Sequence, residues 1–199
     1  DVLRLAAWCG EQGIRLVYDE SFSDFADEGG NTLIDDGILA AYPTLVVVKS
    51  ISKSYGVPGV RLGIAASADA ELISFMRRDV SIWNINSFGE FFLQIAEKYK
   101  GDYAKALVGL RASRSELAAA LASIDGLRVL PSQANYLMVE LTGPMGSRTL
   151  AKRLLTERQI LIKDLSKKIK RDGRQFIRVA VRTREDNAKL VAALRDMLG

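Results

Sequence analysis

The sequence contains no histidine. That removes Ser-His and Cys-His activation of a nucleophile and the common histidine metal sites, so no metal centre is expected, and the chemistry narrows to lysine, carboxylates and hydroxyls. A lone cysteine, Cys9, rules out an internal disulfide. Its place in an apolar helical pattern predicts burial rather than reactivity. No stretch approaches the roughly 18 apolar residues of a membrane span, and nothing at the start reads as a secretory leader, so no membrane partner and a cytoplasmic location are expected. Neither sign of charge dominates: the net charge is +4, with 26% charged and 48% hydrophobic residues, an ordinary balance for a globular protein. Basic residues gather at 163–174 without interleaved aromatics, which reads as a solvated surface or a phosphate-attracting rim and not as a nucleic-acid site.

What is present centres on one stretch. An apolar, β-branched run over 44–48 reads as a strand covered on both faces, as in a parallel sheet. It leads into Ser50-Ile51-Ser52-Lys53, with Arg61 eight residues beyond the lysine, between Gly59 and Gly63. Lys53 therefore follows the carboxyl end of a strand, where ligands bind in such sheets. A lysine amine forms a Schiff base with an aldehyde, while Ser50, Ser52 and the forked donors of Arg61 suit a phosphate dianion. An aldehyde that carries a phosphate is pyridoxal 5′-phosphate.

A second strand, over 14–18, ends at Asp19-Glu20-Ser21-Phe22. Asp19 is thus a carboxylate at a strand tip, in the same kind of position as Lys53. A protonated pyridine nitrogen is the cation that such a carboxylate would pair with, and holding it protonated strengthens the ring as an electron sink.

Together these motifs resemble class I/II aminotransferases of the fold-type I superfamily. In Trp83-Asn84-Ile85-Asn86, a Trp-x-x-Asn pattern, the chain resembles histidinol-phosphate aminotransferases and threonine-phosphate decarboxylases, and either packing or substrate contact suits Trp83. Gln133-Ala134-Asn135-Tyr136 is similar to the entry into a small-domain strand of the same family. The resemblance implies cofactor contacts by Asp19, Ser50, Ser52, Lys53 and Arg61, with Lys53 the catalytic residue. It also implies an arginine that pairs with the substrate α-carboxylate, which falls on Arg178 within the otherwise apolar Phe176-Ile177-Arg178-Val179-Ala180-Val181. One departure stands out: the family has tyrosine, a donor to the ring hydroxyl, where this chain has Phe22.

The implied fold is α/β: part of a mostly parallel-sheet large domain over 1–109, then a small α+β domain over 110–199. Helices are expected over 1–12, 33–42, 68–80, 88–99, 103–124, 147–157 and 185–198, and strands over 62–66, 127–130, 136–141, 160–163 and 176–181. Asn86 or Ser87 is placed to cap the helix that follows. The implied activity is an aminotransferase using pyridoxal phosphate, an amino donor and a keto-acid acceptor, as a homodimer. A decarboxylase of the same superfamily is the alternative, as is a catalytically silent fragment or interaction module. The resemblance is to the C-terminal half only of a family member, and a chain that starts inside a helix without methionine is expected to be part of a longer polypeptide.

Overall fold

A computed structural model describes residues 1–28, 31–169 and 172–199. Gly29 and Gly30, and part of the basic run, Lys170 and Arg171, lie outside the described residues. Two compact units are present, Asp1–Ala104 and Lys105–Gly199, and the division falls inside one long helix.

The first unit opens with helix α1, Val2–Glu11, which buries Ala6 and Cys9. Gly13 follows it at φ 66°, a left-handed conformation that glycine adopts without steric cost. Strand β1, Leu16–Asp19, runs parallel to β2, Leu45–Ser50, with Asp19 level with Val48. Between them lies α2, Asp36–Ala41, whose Ile38 N–H donates to the capping Asp35 carboxylate at 3.0 Å. The apolar run behaves as expected: Leu45, Val46 and Val47 are consecutive and all buried, so the start of β2 is covered on both faces.

After β2 the chain makes one helical turn, α3, Ile51–Ser54, and a 3-10 turn, Pro58–Val60. It then returns as β3, Gly63–Ala66, antiparallel to β2. The sheet order is β1-β2-β3, so this part of the α/β fold is a mixed sheet. A parallel return needs a crossover helix long enough to cross the sheet face, and a single turn is too short for that. Leu39, Leu45 and Val47 form the centre of the core. Helices α4, Ala70–Asp79, and α5, Ser87–Ala96, complete the unit. Asp69 caps α4 through Leu72 N–H, and Asn86 caps α5 through Gly89 N–H, both at 2.9 Å.

Helix α6, Lys100–Ala122, leads into the second unit, an α+β arrangement. Its strands are β4, Leu127–Val129, β5, Tyr136–Leu141, β6, Lys163–Asp164, and β7, Gln175–Ala180. They pair antiparallel in the order β4-β5-β7-β6. The strand expected over 160–163 is thus only two residues long and begins at the last residue of that range. Helices α7, Ser147–Arg158, and α8, Arg184–Leu198, supply Leu150, Leu154, Leu190 and Leu194 to a core shared with Leu117, Leu121, Val139 and Ile177. Among the described residues no helix is long and apolar enough to cross a membrane.

Candidate active site

Because β1 and β2 are parallel neighbours in register, their carboxyl ends emerge on one edge of the sheet. Asp19 is the last residue of β1, and Lys53 lies in the turn of helix that directly follows β2. The Asp19 Oδ1 accepts hydrogen bonds from Ser21 N–H at 2.9 Å and from Ser21 Oγ at 2.5 Å. Ser21 Oγ in turn accepts from Ser50 N–H at 2.9 Å, so one hydroxyl ties the tip of β1 to the end of β2.

These bonds from Ser21 hold the Asp19 carboxyl below the usual carboxylate range, and the positive charge of Lys53 acts in the same direction. Asp19 is exposed, not buried. Its ionised state therefore rests on hydrogen bonding and a nearby cation.

The Lys53 ammonium is exposed and lies 5.1 Å from the centroid of the Phe22 ring, a cation–π contact. Phenylalanine at this position cannot donate to a ring hydroxyl; here its face supports the lysine. Ser50 is half-buried. Ser52 is buried, and its hydroxyl is engaged by the backbone of Leu62: it accepts from Leu62 N–H at 3.2 Å and donates to Leu62 O at 3.4 Å. Arg61 is exposed in the left-handed conformation, φ 55° and ψ 45°, and Nη1 donates to Pro58 O at 3.3 Å. Neither Lys53 nor Arg61 pairs with a carboxylate within salt-bridge distance among the described residues.

Behind this edge is a network that sequence patterning does not reveal. Lys49, the penultimate residue of β2, donates to Asp24 Oδ1 at 2.6 Å, and the Tyr103 hydroxyl donates to Asp24 Oδ2 at 2.7 Å. Burial and the neighbouring Asp24 carboxylate push the Tyr103 phenol well above its ordinary value, so it remains a donor. The Tyr103 ring stacks on Tyr55, two residues after Lys53, with centroids 4.1 Å apart. A lysine closing an apolar strand is the one local signal of this network. Glu20, also buried, accepts from Thr32 Oγ1 and from Leu33 N–H.

In the second unit, β7 alternates: Ile177 and Val179 are buried while Arg178 is exposed. Burial alone therefore does not demand an anionic partner for Arg178. Its guanidinium carbon lies 4.9 Å from the Tyr136 ring centroid, and Lys163 is its register partner on β6. Two cations directly opposite repel each other unless an anion lies between them. Trp83, for which packing was one reading, is 90% exposed.

The residues at the sheet edge fit pyridoxal 5′-phosphate: a free amine for its aldehyde, an ionised carboxylate for its pyridine nitrogen, and an arginine without a carboxylate partner for its phosphate. The model of the family "Aminotransferase class I and II" matches residues 1–194. The chain belongs to that family. Pyridoxal 5′-phosphate is the family's cofactor. The expectation of a match to a C-terminal half only is corrected by this result, since the family match spans nearly the whole chain.

Among its relatives, a CMP-5′-(3-aminopropyl)phosphonate synthase of Streptomyces rubellomurinus is 39% identical over 199 residues, 100% of this chain and 31% of that protein. An L-serine phosphate decarboxylase of Sulfurospirillum multivorans is 35% identical, over 92% of this chain and 47% of that one. A solved structure of a decarboxylase from Sulfurospirillum multivorans superposes with a TM-score of 0.83 at 33% identity, over 98% of this chain and 55% of the other. The chain thus spans about a third to about half of the length of these proteins.

Proposed function

We propose that this chain supplies the cofactor lysine and part of the substrate site of a pyridoxal-phosphate-dependent enzyme that removes the α-carboxylate from a phosphorylated amino acid. The observation that carries the reading is that Asp19 ends β1 and Lys53 follows the end of its parallel neighbour β2, near enough for the lysine charge to act on the carboxyl. Decarboxylation is favoured over the expected transamination because an L-serine phosphate decarboxylase and a solved decarboxylase are close relatives. In this reading residues 1–109 belong to the cofactor domain and 110–199 form the small domain.

When bound, pyridoxal phosphate supplies an aldehyde that condenses with an amine and a ring that takes up the electron pair released at the α-carbon. Asp19, already ionised, is suited to keep a pyridine nitrogen protonated. Arg61 and Ser50 would hold the phosphate and so fix the reacting carbon relative to Lys53. Lys53, displaced from the aldehyde by the substrate amine, would be the group placed to give a proton to the α-carbon once carbon dioxide has left, and its return to the aldehyde carbon would release the amine. Arg178 and Lys163, cationic and opposite each other, suit a substrate that carries two anionic groups, such as a carboxylate and a phosphate. A transaminase would use the same residues but move the α-proton and release a keto acid.

The test uses the full-length protein with pyridoxal phosphate, borohydride reduction and peptide mapping, followed by product analysis with O-phosphoserine. A label on Lys53, with carbon dioxide and an amine released, is expected. A label elsewhere or no label refutes the site, and a keto-acid product refutes decarboxylation.

A further inference from the structure

Arg61 is held in an unusual way. A side-chain-bearing residue at φ 55° occupies a region that L-residues seldom adopt, and it persists only where its neighbours fix it. Both flanking peptides are fastened. On one side, the Asn86 amide donates from Nδ2 to Val60 O at 2.9 Å. On the other, the buried Ser52 hydroxyl accepts from Leu62 N–H at 3.2 Å and donates to Leu62 O at 3.4 Å. The same Asn86 uses its Oδ1 to accept from Gly89 N–H at 2.9 Å, so α5 begins where Val60 is gripped. Gly89 is buried there, and a Cβ on it would lie 3.2 Å from both Leu62 Cδ2 and Val60 O. A side chain there would press on both by a few tenths of an ångström.

We infer that Asn86 and Ser52 are positioning residues for Arg61: they fix the left-handed turn that presents its guanidinium to the cofactor phosphate. This rests on the proposed cofactor site. It gives Ser52 a task that Ser50 does not share, although both lie in the same Ser-x-Ser-Lys segment, because the Ser52 hydroxyl bonds the backbone of Leu62, next to Arg61.

The two bonds of Asn86 can be separated. Serine is as good a helix cap, so Asn86→Ser keeps the acceptor for Gly89 N–H while removing the amide that reaches Val60. Ser52→Ala removes the other clamp. The readout is the dissociation constant of pyridoxal phosphate against that of pyridoxal, measured by absorbance on the full-length protein, with Arg61→Gln as the reference for complete loss of the guanidinium. A positioning role predicts that Asn86→Ser and Ser52→Ala each weaken pyridoxal phosphate by about five- to tenfold. Pyridoxal, which has no phosphate for Arg61, should bind them within about twofold of the wild type. Should both ligands weaken equally, or pyridoxal phosphate bind the two variants as tightly as the wild type, the inference is overturned. Unfolded variants would weaken both ligands and count against it. Failure of the underlying site looks different: the wild type itself would then show no preference for pyridoxal phosphate over pyridoxal, and Arg61→Gln would change nothing.

Discussion

Replacing Lys49 by methionine tests whether the buried network behind Lys53 supports the first unit. The Lys49 and Asp24 side chains are 13% and 17% exposed, and their closest approach is 2.6 Å. In Lys49→Met the carbon stem is retained, but Asp24 loses its lysine partner while still accepting from the Tyr103 hydroxyl, and the buried Glu20 loses the same cation, 3.9 Å away. Removing one partner of a fully buried ion pair costs about 3–5 kcal/mol. Residual access to water and the remaining phenol bring the expectation here to about 2–3 kcal/mol. With a urea slope of about 2 kcal/mol per molar, the midpoint should fall by roughly 1 M at unchanged slope. Both tryptophans of the chain, Trp8 and Trp83, lie in the first unit, so intrinsic tryptophan fluorescence follows that unit alone. The partner change separates charge from packing: Lys49→Met combined with Asp24→Asn removes both charges and should recover at least about 1 kcal/mol relative to the single variant. A midpoint within about 0.2 M of the wild type for Lys49→Met, or a double variant no more stable than the single one, would refute the reasoning.

Two pH effects follow from groups with displaced titrations. Glu140 accepts from Arg174 Nε at 2.5 Å and Nη2 at 2.9 Å and from Arg128 Nε at 2.6 Å. The Arg174 bonds chiefly, then those of Arg128, hold its carboxyl at about 2 against an ordinary 4.5. A depressed folded pKa stabilises above the unfolded value, so this contribution is full above pH 4.5 and is lost as pH falls toward 2. Glu140→Gln should flatten the fall of the thermal midpoint in that window, and an unchanged slope rules the contribution out. Tyr103 behaves in the opposite sense: its raised pKa contributes stability below pH 10 that is lost as pH rises above it. Phenolate absorbance should show one late-titrating tyrosine that disappears in Tyr103→Phe; a full complement of early-titrating phenols in the wild type contradicts it.

The parts of the site that sequence makes legible are those fixed locally. Lys53 follows a run of β-branched residues that reads as a covered strand, and Asp19 closes another, so both strand tips can be read from apolar patterning. Asn86 as a helix cap is legible for the same reason, since its partner Gly89 is three residues away. The contacts that make the site rigid are not local. Asp24 and Tyr103 are 79 residues apart, Ser50 and Ser21 29 apart, and Asn86 and Val60 26 apart. No periodicity encodes such pairs. The antiparallel turn into β3 is also hidden, because the segment between Ser50 and Gly63 has room for a crossover and instead forms only short turns. The setting of Arg178 departs from its sequence context: Phe176 to Val181 reads as uniformly apolar apart from the arginine, but the pleat sends alternate residues to opposite faces and leaves Arg178 in water.

Where the first unit buries polar side chains is itself informative. Among the described residues these are Glu20, Ser21, Ser52 and Ser54, and each lies within two residues of Asp19 or Lys53. Burying a polar group costs free energy unless every bond is returned, so such groups are poor devices for general stability and good ones for fixing geometry. The groups proposed to meet the cofactor, Asp19, Lys53 and Arg61, are by contrast exposed. The exposed groups have little packing of their own to hold them, and the buried ones bond the backbone on which they ride: Ser21 to Ser50, Ser52 to Leu62, and Glu20 to Leu33. Removing one of the buried hydroxyls should therefore degrade ligand geometry more than it degrades the fold, the reverse of what truncating Leu45 or Val47 in the core would do.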